Sequence, residues 1–162
     1  MASVVVTNQE KMIENWRVVM TALCNQFLTM HTTVAEKVDL GPTEMLIYLT
    51  VTVANVQRLM RQRAIPPEYC GGTTPLPREW VVPISRNAIA SASRLPRETV
   101  RRHIGKMIAR GLLVEDARGG VTPPPDIVHV DRYELMVEAL MTDFARTTET
   151  MLRTGVISIR QE

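Results

Sequence analysis

ISRNAIASASRLPRETVRRHIGKMIARGLLVEDARGGV, residues 84–121, reads as a short helix, a turn, a second helix and a small β-hairpin. Ser85 is a good N-cap for a helix over about 86–91, because its hydroxyl can accept from a first-turn N–H that has no partner within the helix. Ile89 and Ala90 face inward from that helix, and Leu95 closes the turn. Pro96 suits the first turn of the second helix, where a missing N–H costs nothing. Gly111 stops that helix after Arg110. A helix over 96–110 gathers Val100, Ile104, Met107 and Ile108 into one buried stripe. At about 100° per residue the opposite face collects Glu98, Thr99, Arg102, Gly105, Lys106 and Ala109. Arg101 lies on its flank, and Arg97 projects from the first turn. LLVED, then Ala117–Gly120, then Val121 and Thr122, fit two short strands around a Gly-Gly tip that carries Arg118.

Charge separates this segment from the rest. Between Pro83 and Thr122 eight cations (Arg86, Arg94, Arg97, Arg101, Arg102, Lys106, Arg110, Arg118) face three acids (Glu98, Glu115, Asp116), a net +5 on a chain of net +2. A charge so concentrated points to a polyanionic partner. The exposed face of the second helix has what a major groove requires: cations for phosphates and guanine edges, small residues for close approach, and polar groups for base edges. The plain alternatives are an Arg-rich solvated face and, for Arg118, a loop residue without a partner. Glu98 complements the helix dipole, and it could also accept from a cytosine amino group. His103, between stripe and exposed face, reads as a half-buried packing histidine.

Two long amphipathic segments flank this head. Ile13, Trp16, Met20, Leu23, Phe27, Met30 and Val34 follow a 3,4 spacing, and Val130, Tyr133, Val137, Leu140, Phe144, Thr147 and Met151 repeat it. Each stripe fits one face of a monomeric bundle or a surface against a second subunit. Neither belongs to the core of the head, and packing both on a symmetry mate buries both, so a homodimer is expected.

Between the first stripe and the head lies DLGPTEMLIYLTVTVANVQRLMRQR, residues 39–63. Gly41 and Pro42 punctuate it, Thr43 can cap, and Glu44 supplies a first-turn carboxylate. Met45, Leu49, Val53, Val56 and Met60 form a helical stripe with Leu46, Ile47 and Val51 beside it, although TVTV also permits a strand. Arg58, Arg61 and Arg63 suit its C-terminal end. Residues 65–77, IPPEYCGGTTPLP, read as a loop within a Pro/Gly-rich excursion over 64–79. Trp80–Val82 suggests a short strand, and Pro123–Pro125 close the head.

The composition is 45% hydrophobic but only 4% aromatic, with ten methionines among 162 residues, which implies an aliphatic, Met-filled helical core. No long apolar window and no charged leader precede the head, so a cytoplasmic protein without a membrane partner is expected. Cys24 and Cys70 are too few for a disulfide framework, and His31, His103 and His129 are scattered, so no metal site is expected. No catalytic grouping, phosphate loop or cofactor motif is present, and no enzyme or cofactor is expected. Cys24, next to Leu23, reads as a small packing residue. Cys70, in a CGG loop, reads as exposed, and redox sensing through it stays open.

SRNAIASASRLPRETVRRHIGKMIARGLLVED resembles the winged helix-turn-helix of bacterial transcription regulators, with its short helix, turn, T-V-containing recognition helix and R-G-L entry to the wing. LGPTEMLIYLTV, from Leu40, resembles the helix that precedes this head in MarR-type regulators, whose long terminal helices pair two subunits. The resemblance implies a mainly α fold with a small β-wing: a winged helix-turn-helix over 39–125 between dimerisation helices over 1–38 and 126–162. It implies a homodimeric, sequence-specific transcriptional regulator that binds double-stranded DNA with helix 96–110 in the major groove. The wing, 117–120 with Arg118, would lie on the backbone or minor groove. By position it assigns DNA contacts to Arg97, Thr99, Arg101, Arg102 and Lys106, and it assigns no effector-binding residue. The connection before the head is longer than is usual in the family, and Gly105 stands where a polar residue is common. The same core pattern also serves protein-interaction and replication or partition modules.

Overall fold

The computed structural model describes residues 3–71, 74–125 and 130–161 and is mainly helical, with two small antiparallel sheets. Residues 72–73 of the excursion, residues 126–129 with His129, and the side chain of Val130 that heads the second stripe lie outside the described residues. The chain begins with β1 (Ser3–Thr7), α1 (Gln9–Glu14) and α2 (Trp16–Val38), then α3 (Pro42–Asn55), α4 (Gln57–Met60), α5 (Pro67–Cys70) and a 3₁₀ turn at Arg78–Trp80. It continues through β2 (Ile84–Ser85), α6 (Arg86–Ser93), α7 (Arg97–Ala109), β3 (Val114–Glu115), β4 (Gly120–Thr122), α8 (Val130–Arg153) and β5 (Ile157–Gln161). It divides into two compact units, Val38–Tyr133 and a second made of Met1–Lys37 with Glu134–Glu162. Among the described residues no helix is long and apolar enough to cross a membrane.

In the 38–133 unit α3, α6 and α7 pack pairwise, and a three-stranded sheet of order β2-β4-β3 closes the group. Ile47 and Val51 of α3, Ile89 of α6, Val100, Ile104 and Met107 of α7, and Leu113 and Val121 of the hairpin are all fully buried. The buried face of α3 differs from the expected stripe: Met45, Ile47, Val51 and Asn55 are inside, whereas Val53 and Met60 are exposed. The i, i+4 row 47-51-55 wins because α6 and α7 meet it from one side. TVTV is helical. Gly41, not Thr43, is the N-cap, with Pro42 in the first turn.

The helix expected to reach Arg63 ends at Asn55. This buried asparagine accepts from Val82 N–H through its backbone carbonyl (3.2 Å) and donates through Nδ2 to the Val82 carbonyl (3.3 Å), so the chain before the excursion is tied to the chain after it. The expected strand at Trp80–Val82 is instead a 3₁₀ turn and an extended lead, and the strand itself is Ile84–Ser85. Arg58 donates to the Glu79 carbonyl (2.6 Å) and so leaves the helix-end role. The excursion expected to be loop contains the helical turn α5, whose Tyr69 packs edge-on against Trp80 at 5.0 Å.

The second unit has a sheet that the sequence reading did not anticipate. β1 and β5 pair antiparallel from Ser3↔Gln161 to Thr7↔Ile157. Asn8 then caps α1 by accepting from Lys11 N–H (3.1 Å), and its own N–H donates to the Val156 carbonyl (2.8 Å). The single N-terminal helix expected from Ile13 is broken at Asn15, whose backbone and side-chain N–H groups both donate to the Lys11 carbonyl. Val19, Met151 and Val156 are buried here with Met12, Ala22 and Ile157 around them. Both stripes emerge from this knot: Ile13, Trp16, Met20, Leu23, Phe27, Met30, Val137 and Phe144 are exposed, and among the described side chains of the expected seams only Val34 and Met151 are buried. Cys24, expected to pack, is exposed for the same reason, as is Cys70.

α7 and α8 end alike. Gly111 (φ 71°) donates to the Ile108 carbonyl and Leu112 to that of Met107, while Gly155 (φ 71°) donates to Leu152 and Val156 to Met151. These are Schellman motifs, in which a left-handed glycine lets the last carbonyls find donors. A Cβ at Gly111 would meet no atom within 4 Å. Gly111→Ala therefore isolates the backbone term and should cost about 1 kcal/mol, read as a lower urea midpoint at unchanged slope.

Candidate nucleic-acid interface

The first helix of the head forms as its cap predicts: Ser85 Oγ accepts from Ala88 N–H at 3.2 Å, and Ile89 and Ala90 point inward. Arg94 ends it at φ 57°, a left-handed conformation that reverses the chain without glycine. α7 spans Arg97–Ala109 with Pro96 as its N-cap, one residue inside the expected range at each end. Because Val100, Ile104 and Met107 are each 0% exposed, the rotation of α7 about its axis is settled. Glu98, Arg101, Arg102, Gly105, Lys106 and Ala109 consequently face solvent, with Thr99 half-buried at the margin and Arg97 exposed in the first turn.

The hairpin tip sits slightly earlier than the Gly-Gly reading. Asp116 Oδ1 accepts from the N–H of Arg118 and of Gly120, both at 2.8 Å, and Gly119 (φ 77°) completes the turn. Gly120 already belongs to β4, opposite Ser85. A Cβ there would stand 2.5 Å from Pro83 Cβ and 2.9 Å from Asp116 Oδ2, so only glycine lets the hairpin close on the lead into α6. Arg118 projects, exposed, from this tip.

The eight cations of the head fall into two groups. Arg86 forms a two-bonded ion pair with Glu115, the Nη2–Oε2 bond measuring 2.8 Å, and so joins α6 to β3. Arg110 donates to Glu44 Oε2 (3.1 Å) and to the Asp39 carbonyl (2.7 Å). The half-buried His103 brings Nδ1 within 3.4 Å of the other Glu44 oxygen, so one carboxylate in the first turn of α3 holds two points of α7. Arg101 is held by Glu98 one turn earlier on the same helix. The side chains of the other five, Arg94, Arg97, Arg102, Lys106 and Arg118, make no hydrogen bond or ion pair among the described residues.

Of the residues read from sequence as DNA contacts, the structure thus leaves Arg97, Arg102, Lys106 and Arg118 as free cations, pairs Arg101, and turns Thr99 partly inward. Arg94 was counted in the charge of the segment but not among the contacts. A turn residue has no helical phase to sort it by, and only its exposure and lack of a partner in the folded chain single it out. No protein-family model and no curated protein sequence matches this chain.

The Arg86 guanidinium, chiefly by hydrogen bonding, holds the Glu115 carboxyl below its ordinary value of 4.5. A carboxylate depressed on folding stabilises the fold above its unfolded value, and that contribution is lost as pH falls through the folded one. Glu115→Gln should lower the urea midpoint at pH 7, and the difference from wild type should shrink by pH 3. A gap that persists unchanged at pH 3 would show that the ion pair is not its source.

Proposed function

We propose that this chain is a homodimeric, sequence-specific DNA-binding transcriptional regulator whose 38–133 unit is a winged helix-turn-helix. The observation that carries the reading is the sorting of charge. Of the eight cations of residues 83–122, Arg86 and Arg110, which face neighbouring elements, are paired with Glu115 and Glu44, and Arg110 also donates to the Asp39 carbonyl. Those left free lie on the turn, on the exposed face of α7 and at the hairpin tip, the three places where such a head meets a duplex. Gly105 and Ala109, exposed on the same face as Arg102 and Lys106, add little bulk, so the helix backbone can approach base edges closely. In this reading α7 enters the major groove, Arg94 and Arg97 contact phosphates beside it, and Arg118 reaches the backbone or minor groove.

The second copy is argued from burial. Of the twenty large hydrophobic side chains exposed among the described residues, sixteen belong to the unit of terminal segments, which keeps only Val19, Val34, Met151 and Val156 as buried core. An element pair with its apolar surface outside and so small a core requires a partner face. Half-exposed, these side chains offer on the order of 1,000 Å², comparable with the ~800 Å² per partner of a standard interface. A two-fold dimer satisfies both copies at once, and its two heads would read a pseudo-palindrome.

Selection from a random duplex pool should return an inverted repeat with half-sites about one helical turn apart. On such a duplex Arg102→Ala should cost about 1–3 kcal/mol, and Lys106→Ala should reduce the salt dependence by about one ion. A featureless pool, with binding unaffected by either change, would remove the proposal. Independently, Phe27→Glu, on the exposed stripe of α2, should convert a sedimenting dimer to monomer while leaving the head folded. A wild-type chain that sediments as a monomer would remove the dimer.

A further inference from the structure

Arg101 differs from its basic neighbours on α7. Its Nε–H donates to Glu98 Oε2 at 2.9 Å and its Nη2 to Glu98 Oε1 at 2.5 Å, with both side chains about 70% exposed. The carboxylate therefore occupies one edge of the guanidinium, the Nε/Nη2 fork. A guanidinium carries five coplanar N–H donors. The terminal fork, one N–H each from Nη1 and Nη2, is left free and parallel.

Two donors in that geometry match O6 and N7 of guanine in the major groove. The same fork also fits two phosphate oxygens, but the charge beside it disfavours that use. Glu98 offsets the charge of Arg101 at the distance from which a phosphate would feel it, and its carboxylate is itself repelled by the backbone. The guanidinium, hydrogen-bonded, keeps the Glu98 carboxyl below its ordinary range, so the carboxylate stays ionised. Two hydrogen bonds also orient the guanidinium plane before any ligand arrives, which removes part of the ordering cost of binding. Arg97, Arg102 and Lys106 have no hydrogen-bonded counter-ion and so stay available to phosphates, although Glu98 also acts on Arg102 through space.

We infer that Glu98 and Arg101 form a preassembled guanine-reading unit, in which the terminal fork of Arg101 donates to guanine O6 and N7 and Glu98 is its positioning residue. The inference rests on the DNA-binding reading above and assigns Arg101 to sequence discrimination, not to backbone attraction. A Glu98 that takes up one edge of the guanidinium and repels phosphates should also weaken binding to arbitrary DNA.

The test uses the full-length protein and a duplex recovered by random-sequence selection, with each guanine replaced in turn by 7-deazaguanine, which lacks the N7 acceptor. Wild type should lose about tenfold at one position in each half-site. Arg101→Lys keeps the charge but has no fork, so it should lose about tenfold on the selected duplex, show no further loss at that position, and bind a random-sequence duplex as wild type does. Glu98→Gln should bind the random duplex several-fold more tightly, with a salt dependence steeper by about one ion, because Arg101 is released to phosphates. If Arg101→Lys leaves every 7-deazaguanine penalty unchanged, or if Arg101→Ala weakens selected and random duplexes by the same factor, Arg101 is a phosphate contact and the inference is overturned. If wild type shifts no duplex at all, the DNA-binding reading falls with it.

Discussion

The burial of one stripe of α7 against α3 and α6 is the constraint on which the rest of the 38–133 unit depends. Val100, Ile104 and Met107 are wholly inside, and a helix pinned along one line by three such side chains has no rotational freedom left. Everything on the opposite face follows from that rotation, including which arginines meet solvent. Glu44 secures the same helix from its other end by accepting from Arg110 and facing His103, so the axis is held as well as the rotation. The glycine at 111 then turns the chain at once into the hairpin, and Gly120 lets that hairpin come back against Pro83.

Carboxylates do more than offset charge in this unit. Glu115 ties α6 to β3 through Arg86, Glu44 ties α3 to α7 through Arg110, and Asp116 builds the hairpin turn from backbone N–H groups. Exposed ion pairs of this kind contribute little individually. Their larger effect is to remove particular cations from the outer surface, so that within residues 83–122 the unpaired cations lie on the turn, the outward face of α7 and the hairpin tip. The net +5 of the segment therefore understates how strongly position, not number, organises its surface.

The terminal unit obeys a different logic. Its order comes from a knot where β1, β5, α1 and the ends of α2 and α8 meet, with backbone pairing from Ser3 to Thr7 and a small core around Met151. Away from that knot α2 and α8 carry apolar side chains into solvent. A helix can be long and regular on its own hydrogen bonds, and the stripe of Trp16, Leu23 and Phe27 is the apolar surface that the proposed dimer would cover.

Local signals determined much of this protein. The cap at Ser85, the Pro96 start and Gly111 stop of α7, its buried stripe, the hairpin that follows and the two long terminal helices were legible in the sequence, because each rests on residues within a turn or two of one another. The same holds for the outward position of Arg102 and Lys106, which needs only the helical repeat. Tertiary structure alone decided the rest. The β1–β5 pairing joins residues 150 or more positions apart, and no local pattern specifies a partner at that distance, although the alternation after Gly155 was a usable hint. The end of α3 is set by Asn55 meeting Val82, not by the sequence around Asn55. Above all, which cations stay free depended on which carboxylates came within reach on folding: Arg86 and Arg110 look like Arg102 and Arg118 in a linear sequence, and they part only when Glu115 and Glu44 arrive from other elements.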